Sequence, residues 1–207
     1  HSINEIDAIG HRIVHGGNYF DSSVLITPDV IKKIESLCTL APLHNPPALK
    51  CINVCHENGP DMPPGGRFST RVLPVAPAFG DMYPLPYELC EKHQIRKYGA
   101  HGTSHRYIAQ RCAALMEQPI EDLKIITCHL GNGCSISAVD HGIAVDTSMG
   151  FTPLDGLMMG TRCGAIDPAI IPFLEEAEDL TPPQINELMN KKSGLLGVFW
   201  QSRNRYA

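Results

Sequence analysis

Arg12 stands between His11 and His15 in the run GHRIVHGG, and His101 and His105 recur in GAHGTSHRY. Further along, Arg162 is embedded in MGTRCG, and HLGNG occupies residues 129–133. These residue types suit one kind of chemistry, the holding of an anion. Arginine presents a planar fork matched to carboxylate or phosphate oxygens. Glycine lets a backbone come close to an anion and turn its N–H groups inward. Each run alone is ordinary, since Gly-Asn-Gly between strands is commonly a hairpin turn and a buried arginine beside a histidine is commonly structural.

The histidines also allow a rival reading. His11 with His15, and His101 with His105, are spaced four apart, like zinc ligands on a helix. The first pair, however, brackets β-branched residues and runs into two glycines, and the second holds a glycine inside the spacing. Neither contains the glutamate that would serve as general base. The eight cysteines (38, 51, 55, 90, 112, 128, 134 and 163) are irregularly spaced without a C-x-x-C, the closest grouping being Cys51, Cys55 and His56. Reduced, mostly buried thiols are the expectation, with no metal site.

These candidates need elements to hold them. EIDAIGHRIVHGG reads as a strand entering a glycine-ended loop. ITPDVIKKIESLC reads as a helix with Thr27 as N-cap and Pro28 in its first turn. LAPLHNPPAL is expected to be a stiff proline-rich loop, and ALKCINVCHEN a short helix ending at Gly59. LPYELCEKHQI reads as helical, RKYGAHGTSH as strand and loop, and SHRYIAQRCAALM as an amphipathic helix capped by Ser104. LKIITCHLGNGCSISAVDHGIAVDTS then offers three β-rich runs parted by GNG and HG, a β-meander. Two helices follow, DPAIIPFLEEAED and TPPQINELMNKKSG, the second capped by Thr181 and stopped at Gly194. Alternating strands, hairpins and helices predict a mixed α/β fold.

The 207 residues can bury a sizeable core, and 43% hydrophobic with 19% charged content suits a globular protein. A net charge of −5 gives no general attraction to nucleic acid, so an anion must be held by locally placed arginines. No apolar run approaches the ~18 residues of a membrane span, and the first residues lack the pattern of a signal peptide. A cytoplasmic location is the expectation. The chain starts at His1 rather than Met, which suggests that it begins mid-protein.

The runs also occur together in one order: GHRIVHGG, LAPLHNPPAL, LPYEL, YGAHGTSHRYIAQR, ITCHLGNGCSISAV, VDTSMGFTPLDGLMMGTRCG, IDPAII and NKKSGLLG. In that combination the chain closely resembles the acetokinase family of short-chain carboxylate kinases over nearly its whole length. Family members are about twice as long, so the chain resembles an internal piece. The resemblance implies a partial ribonuclease-H-like fold of the actin and hexokinase type, with two domains around a cleft. Residues 1–71 would be the later part of the first domain and 72–207 the first part of the second.

It further implies reversible transfer of the ATP γ-phosphoryl to acetate, giving acetyl phosphate and ADP, with Mg²⁺ whose ligands lie mostly outside this chain. Propionate, or another short-chain acid, is the alternative acceptor. A non-catalytic anion- or nucleotide-binding fragment is the alternative from another class. By the resemblance Arg12 and Arg162 flank the in-line path and His101 hydrogen-bonds the transferring group. Val14, Leu43 and Pro153 would line the pocket for the acetate methyl. Ala100 stands where many relatives carry phenylalanine, which makes that pocket roomier. His129, Leu130, Gly131, Asn132 and Gly133 would form the phosphate-binding hairpin for ATP, while His15, His44 and His105 are read as structural. A homodimer is implied for the full-length protein.

One stretch departs from the family pattern. RFSTRVLPVAPAFG, residues 67–80, has FSTRVL where the family carries FDTAFH, so Ser69 occupies the position of the family's catalytic aspartate. A serine hydroxyl is uncharged at neutral pH and cannot act as that base or anchor. TTT-TCG-ACA-CGG, one coding for Phe-Ser-Thr-Arg, reads Phe-Asp-Thr from its third base. After SGLLG, the family's Val-Ser-Gly is replaced by Val198-Phe199-Trp200, again explicable by one extra base. Two local frameshifts are therefore the expectation. Ala165 is a further departure, where the family usually has aspartate.

Overall fold

A computed structural model describes residues 6–20, 23–42, 44–58, 64–68 and 81–203. Two of the sequence-predicted site residues, Leu43 and Ser69, lie outside the described residues, as do Gly59 and positions 69–80.

The first sheet contains β1 (Ile9–Ile13), β2 (Val24–Leu25) and β3 (Pro64–Phe68), in the order β1-β3-β2. β3 runs parallel to β1 and antiparallel to β2. Two helices pack beside it, α1 (Pro28–Ser36) and α2 (Asn45–Asn58). α1 begins as its sequence dictates: Thr27 Oγ1 accepts the Val30 N–H at 3.3 Å, and Pro28 fills a position that needs no amide donor. Ile13, Phe20, Ile26, Ile34 and Ile52 close into the core between sheet and helices. Ile13 and Ile34 are wholly buried, each stabilising the unit by about 1.5–3 kcal/mol of apolar transfer.

The second sheet is the meander: β4 (Lys124–Leu130), β5 (Cys134–Asp140) and β6 (Ile143–Thr147), antiparallel and in that order. A bulge interrupts the β5–β6 ladder at Ala138/Val139. α4 (Gly102–Leu115) covers one face, turning His105, Ala109 and Ala113 inward at helical spacing. α3 (Tyr87–His93) precedes it, and α5 (Ile170–Ala177), α6 (Pro182–Lys191) and α7 (Gly194–Arg203) follow the meander.

Several element boundaries differ from the sequence expectation. α2 begins at Asn45, inside the proline-rich run, because Pro46 and Pro47 fall in its first turn, where a missing N–H costs nothing. The expected strand within RKYGAHGTSH does not form. Ser104 is not the cap of α4. The helix starts three residues earlier behind His101, which adopts a left-handed φ of 62° and makes no side-chain cap bond. Likewise Gly194 does not stop α6, which ends at Lys191; Gly194, at φ 64°, opens α7. Thr181 does cap α6, with Gln184 Oε1 accepting from its N–H at 2.8 Å.

Candidate functional site

The β4–β5 turn, the loop before α4 and the segment 149–164 meet at one place. A Cβ placed on Gly133 would lie 3.2 Å from Arg162 Nη1, which the glycine leaves room for, and 3.6 Å from His101 Nε2, an ordinary contact, so both side chains border this residue. Arg162 is aimed by its own loop: Nη1 donates to the Pro153 carbonyl at 3.0 Å. That loop is held in turn by the start of α7. Leu195 and Leu196 donate their N–H groups to the carbonyls of Met159 and Gly160, both at 2.9 Å. Gly160 N–H donates to the Asn132 carbonyl at 3.1 Å, which ties the loop to the hairpin tip.

His101 is the residue that precedes α4. Its ring stacks on that of His129, centroids 3.9 Å apart and 22° from parallel. His101 Nδ1 lies 2.9 Å from Ser135 Oγ, and His129 Nδ1 lies 2.9 Å from Ser104 Oγ. Ser104, expected as a helix cap, therefore orients a histidine instead. Burial first, then the neighbouring His129, His105, Arg12 and Arg162, push the His101 pKa down to about 4. His44 is lowered by the same kinds of cause, burial first and then Arg12 and Arg162. Both guanidinium groups thus act on one small region and disfavour further positive charge there. An anion reverses that balance, and the group of residues is suited to hold one.

Of the residues expected from sequence, the structure brings Arg162, His101, His129, Asn132, Gly133 and Pro153 into one neighbourhood. Arg12, exposed on β1, acts on it electrostatically. Gly131 belongs to the hairpin tip, its N–H donating to the Gly133 carbonyl at 3.2 Å. Leu130 is 76% exposed. Val14 is buried just beyond the end of β1, and Ala100 is buried beside Met149 and Met159. Ser135, Thr127 and the Tyr83–Asp155 pair were not singled out by sequence. Tyr83 Oη accepts the Phe151 N–H at 2.7 Å and donates to Asp155 Oδ2 at 3.3 Å, fixing the loop that leads to Pro153.

The zinc alternative fails on geometry. His11 lies on a strand, and both ring nitrogens of His105 are taken by hydroxyls, at 2.8 Å to Thr127 Oγ1 and 2.7 Å to Ser135 Oγ. Among the described residues no group of three or more His, Cys, Asp or Glu is arranged to hold a metal ion. The donor set at the site, two arginines with imidazoles and hydroxyls, fits an anion and not Mg²⁺. No described helix is long and apolar enough to cross a membrane.

Comparison with known proteins shows the family. The acetokinase family matches residues 1–205 of the chain. The acetate kinase of Alkaliphilus metalliredigens is 58% identical over 197 residues, covering 95% of this chain and 50% of the relative. The crystal structure of Porphyromonas gingivalis acetate kinase superposes with a TM-score of 0.91 at 50% identity, covering 95% of this chain and 49% of that one. A propionate kinase from Francisella tularensis superposes with a TM-score of 0.90 at 48% identity, covering 95% and 50%. The chain spans about half the length of the curated relatives it matches. The fold is accordingly a partial α/β fold of the actin and hexokinase type.

Proposed function

Because the chain belongs to the acetokinase family, we propose that it is the part of an acetate kinase that carries the acyl-phosphate side of the reaction. In that reaction an acetate oxygen forms a bond to the γ-phosphorus of ATP as the bond to the β-phosphate oxygen breaks, giving acetyl phosphate and ADP. ATP, when bound, supplies the phosphoryl group. Arg12 and Arg162 neutralise the carboxylate and the phosphoryl oxygens on either side of the in-line path. His101 hydrogen-bonds the transferring group, and the His129–Gly133 hairpin holds the phosphates of ATP. Val14, Leu43 and Pro153 contribute the pocket for the methyl group. The observation that supports this reading most is the meeting of Arg162, His101 and Gly133 within a few ångströms.

On this reading residues 1–71 end one ribonuclease-H-like domain and 72–207 begin the next, in keeping with two separate sheets. Full-length relatives would supply the remaining nucleotide contacts, the Mg²⁺ ligands and the surface of a homodimer. A propionate kinase is the second reading, favoured by the small buried Ala100 and by the Francisella tularensis structure. The test is an acyl-phosphate assay on the intact gene product, comparing acetate with propionate. Acetate as the faster acceptor supports the proposal, and a faster rate on propionate supports the alternative. No phosphorylation of either acid would leave only a binding fragment.

A further inference from the structure

The face of the meander that α4 covers is built of hydroxyls. Thr127, Ser135 and Ser137 are 2%, 0% and 0% exposed, and His105 above them is 2% exposed. Apolar side chains would fill this space at lower cost, because a buried hydroxyl loses its hydration unless it is hydrogen-bonded. Here four of the polar contacts join into one chain. The Ser137 carbonyl oxygen lies 3.3 Å from Thr127 Oγ1, which lies 2.8 Å from His105 Nδ1. His105 Nε2 lies 2.7 Å from Ser135 Oγ, which lies 2.9 Å from His101 Nδ1.

Such a chain has a direction, because a hydroxyl owns one proton and a carbonyl none. The Ser137 carbonyl can only accept, so Thr127 donates to it and must accept from His105 Nδ1–H. A neutral His105 then carries no proton on Nε2 and accepts the proton of Ser135. Ser135 has none left for its other contact, so His101 must donate from Nδ1–H. Burial, and His129 nearby, keep His105 neutral by lowering its pKa.

We propose that Thr127, His105 and Ser135 are positioning residues that hold His101 as its Nδ1–H tautomer, so that the neutral ring turns a bare Nε2 toward Arg162 and grips an anion only after taking up a proton there. Nε2 and Arg162 Nη1 both border Gly133, as the 3.6 Å and 3.2 Å approaches to its Cβ position show. The titratable and charged groups that face the ring are His129, His105, Arg12 and Arg162, and all of them oppose a charge on His101 in the empty site. A bound anion offsets them, and the proton arrives with it. The anion half of the proposal rests on the functional reading above; the tautomer does not.

Long-range proton–nitrogen NMR spectra of the ¹⁵N-histidine-labelled 207-residue chain at pH 7 test it. His101 is expected to show a pyrrole-like Nδ1 and a pyridine-like Nε2. Thr127→Val keeps the shape and removes the acceptor at the far end of the relay. His105 is then free to carry its proton on Nε2, Ser135 turns its proton to His101, and the two His101 nitrogen signals exchange character. Ser135→Ala, which removes the Nδ1 acceptor outright, is expected to give the same exchange if Thr127→Val does not fold. Sulfate keeps its charge from pH 5 to 8, so its affinity for the unaltered chain should rise up to roughly tenfold per unit fall in pH. That slope should flatten in both variants, whose neutral ring already offers Nε2–H. An Nε2–H signal from His101 in the unaltered chain, or unchanged signals in the variants, overturns the relay. The expected tautomer without any sulfate binding overturns the anion half together with the functional reading.

Discussion

Asn45 closes two hydrogen bonds on the backbone of His15: its Oδ1 accepts the His15 N–H and its Nδ2 donates to the His15 carbonyl, both at 3.0 Å. Asn45 is wholly buried, so this bracket, and not solvent, satisfies the chain where β1 leaves its sheet. It fastens the start of α2 to the end of β1, and so fixes His44 and Arg12 relative to one another.

Replacing Asn45 by alanine leaves a buried N–H and a buried carbonyl without partners. The expected loss is roughly 2–4 kcal/mol of stability, read from urea unfolding. Asn45→Asp should also destabilise, because a carboxylate can replace only the accepting half of the bracket. A midpoint unchanged by either substitution would contradict the role given to this side chain.

Gly194 should be equally intolerant for a different reason. It has a φ of 64°, and a Cβ there would come 2.1 Å from the Met159 carbonyl oxygen and 2.6 Å from that of Arg162. Gly194→Ala is therefore expected to displace the 159–162 loop, weaken phosphate binding at least tenfold and lower the melting temperature. Gly197→Ala, whose Cβ would meet the Lys192 carbonyl oxygen at 3.1 Å, should be much milder. Thermal unfolding and phosphate titration of the two variants side by side check this.

His15 makes stability fall in acid. Burial lowers its pKa to about 4, its Nδ1 accepts the Gly17 N–H at 3.0 Å, and its ring meets Tyr98 edge-on at 4.4 Å. The unfolded chain binds a proton at this histidine from about pH 6.5 downward, and the folded chain does not until about pH 4. Its contribution is thus complete above pH 6.5 and lost progressively toward pH 4, roughly 3 kcal/mol in all. His15→Asn, which retains an acceptor near the Nδ1 position, should be less stable at pH 7 and should lose most of that acid slope in urea titrations.

Much of this architecture is legible in the residues. GNG and HG between β-rich runs mark the meander, and Thr27-Pro28 marks α1, because turns and caps are local chemistry. The misplaced boundaries share a cause. Pro46 and Pro47 look like loop residues until they fall in a first turn, and Ser104 looks like a cap until His129 claims its hydroxyl across 25 positions. Gly194 carries a helix-stop signature, yet its left-handed conformation serves close packing on Met159 and Arg162. The arginines and His101 stood out by type and context. Thr127 and Ser135 did not, since alternating hydroxyls on a strand gain meaning only when α4 sets His105 against them.

Ser69 gives a prediction about activity. On the proposal that Ser69 stands where the family carries its catalytic aspartate, the 207-residue chain as written should show no acetate-dependent acyl phosphate formation above background. Sequencing the gene across codons 60–85 should recover Phe-Asp-Thr at 68–70. Ser69 confirmed in the DNA would instead mark a chain that binds phosphate without transferring it.

Arg12, Arg162 and His101 are proposed to hold one anion between them. Calorimetric titration with inorganic phosphate, on the unaltered chain and on Arg12→Ala, Arg162→Ala and the double variant, measures it. One bound phosphate is expected, weakening with added salt, with each arginine contributing roughly 1–2 kcal/mol and the double variant binding too weakly to detect. Equal affinity in the unaltered chain and the double variant would place the phosphate elsewhere and contradict an anion site at these arginines.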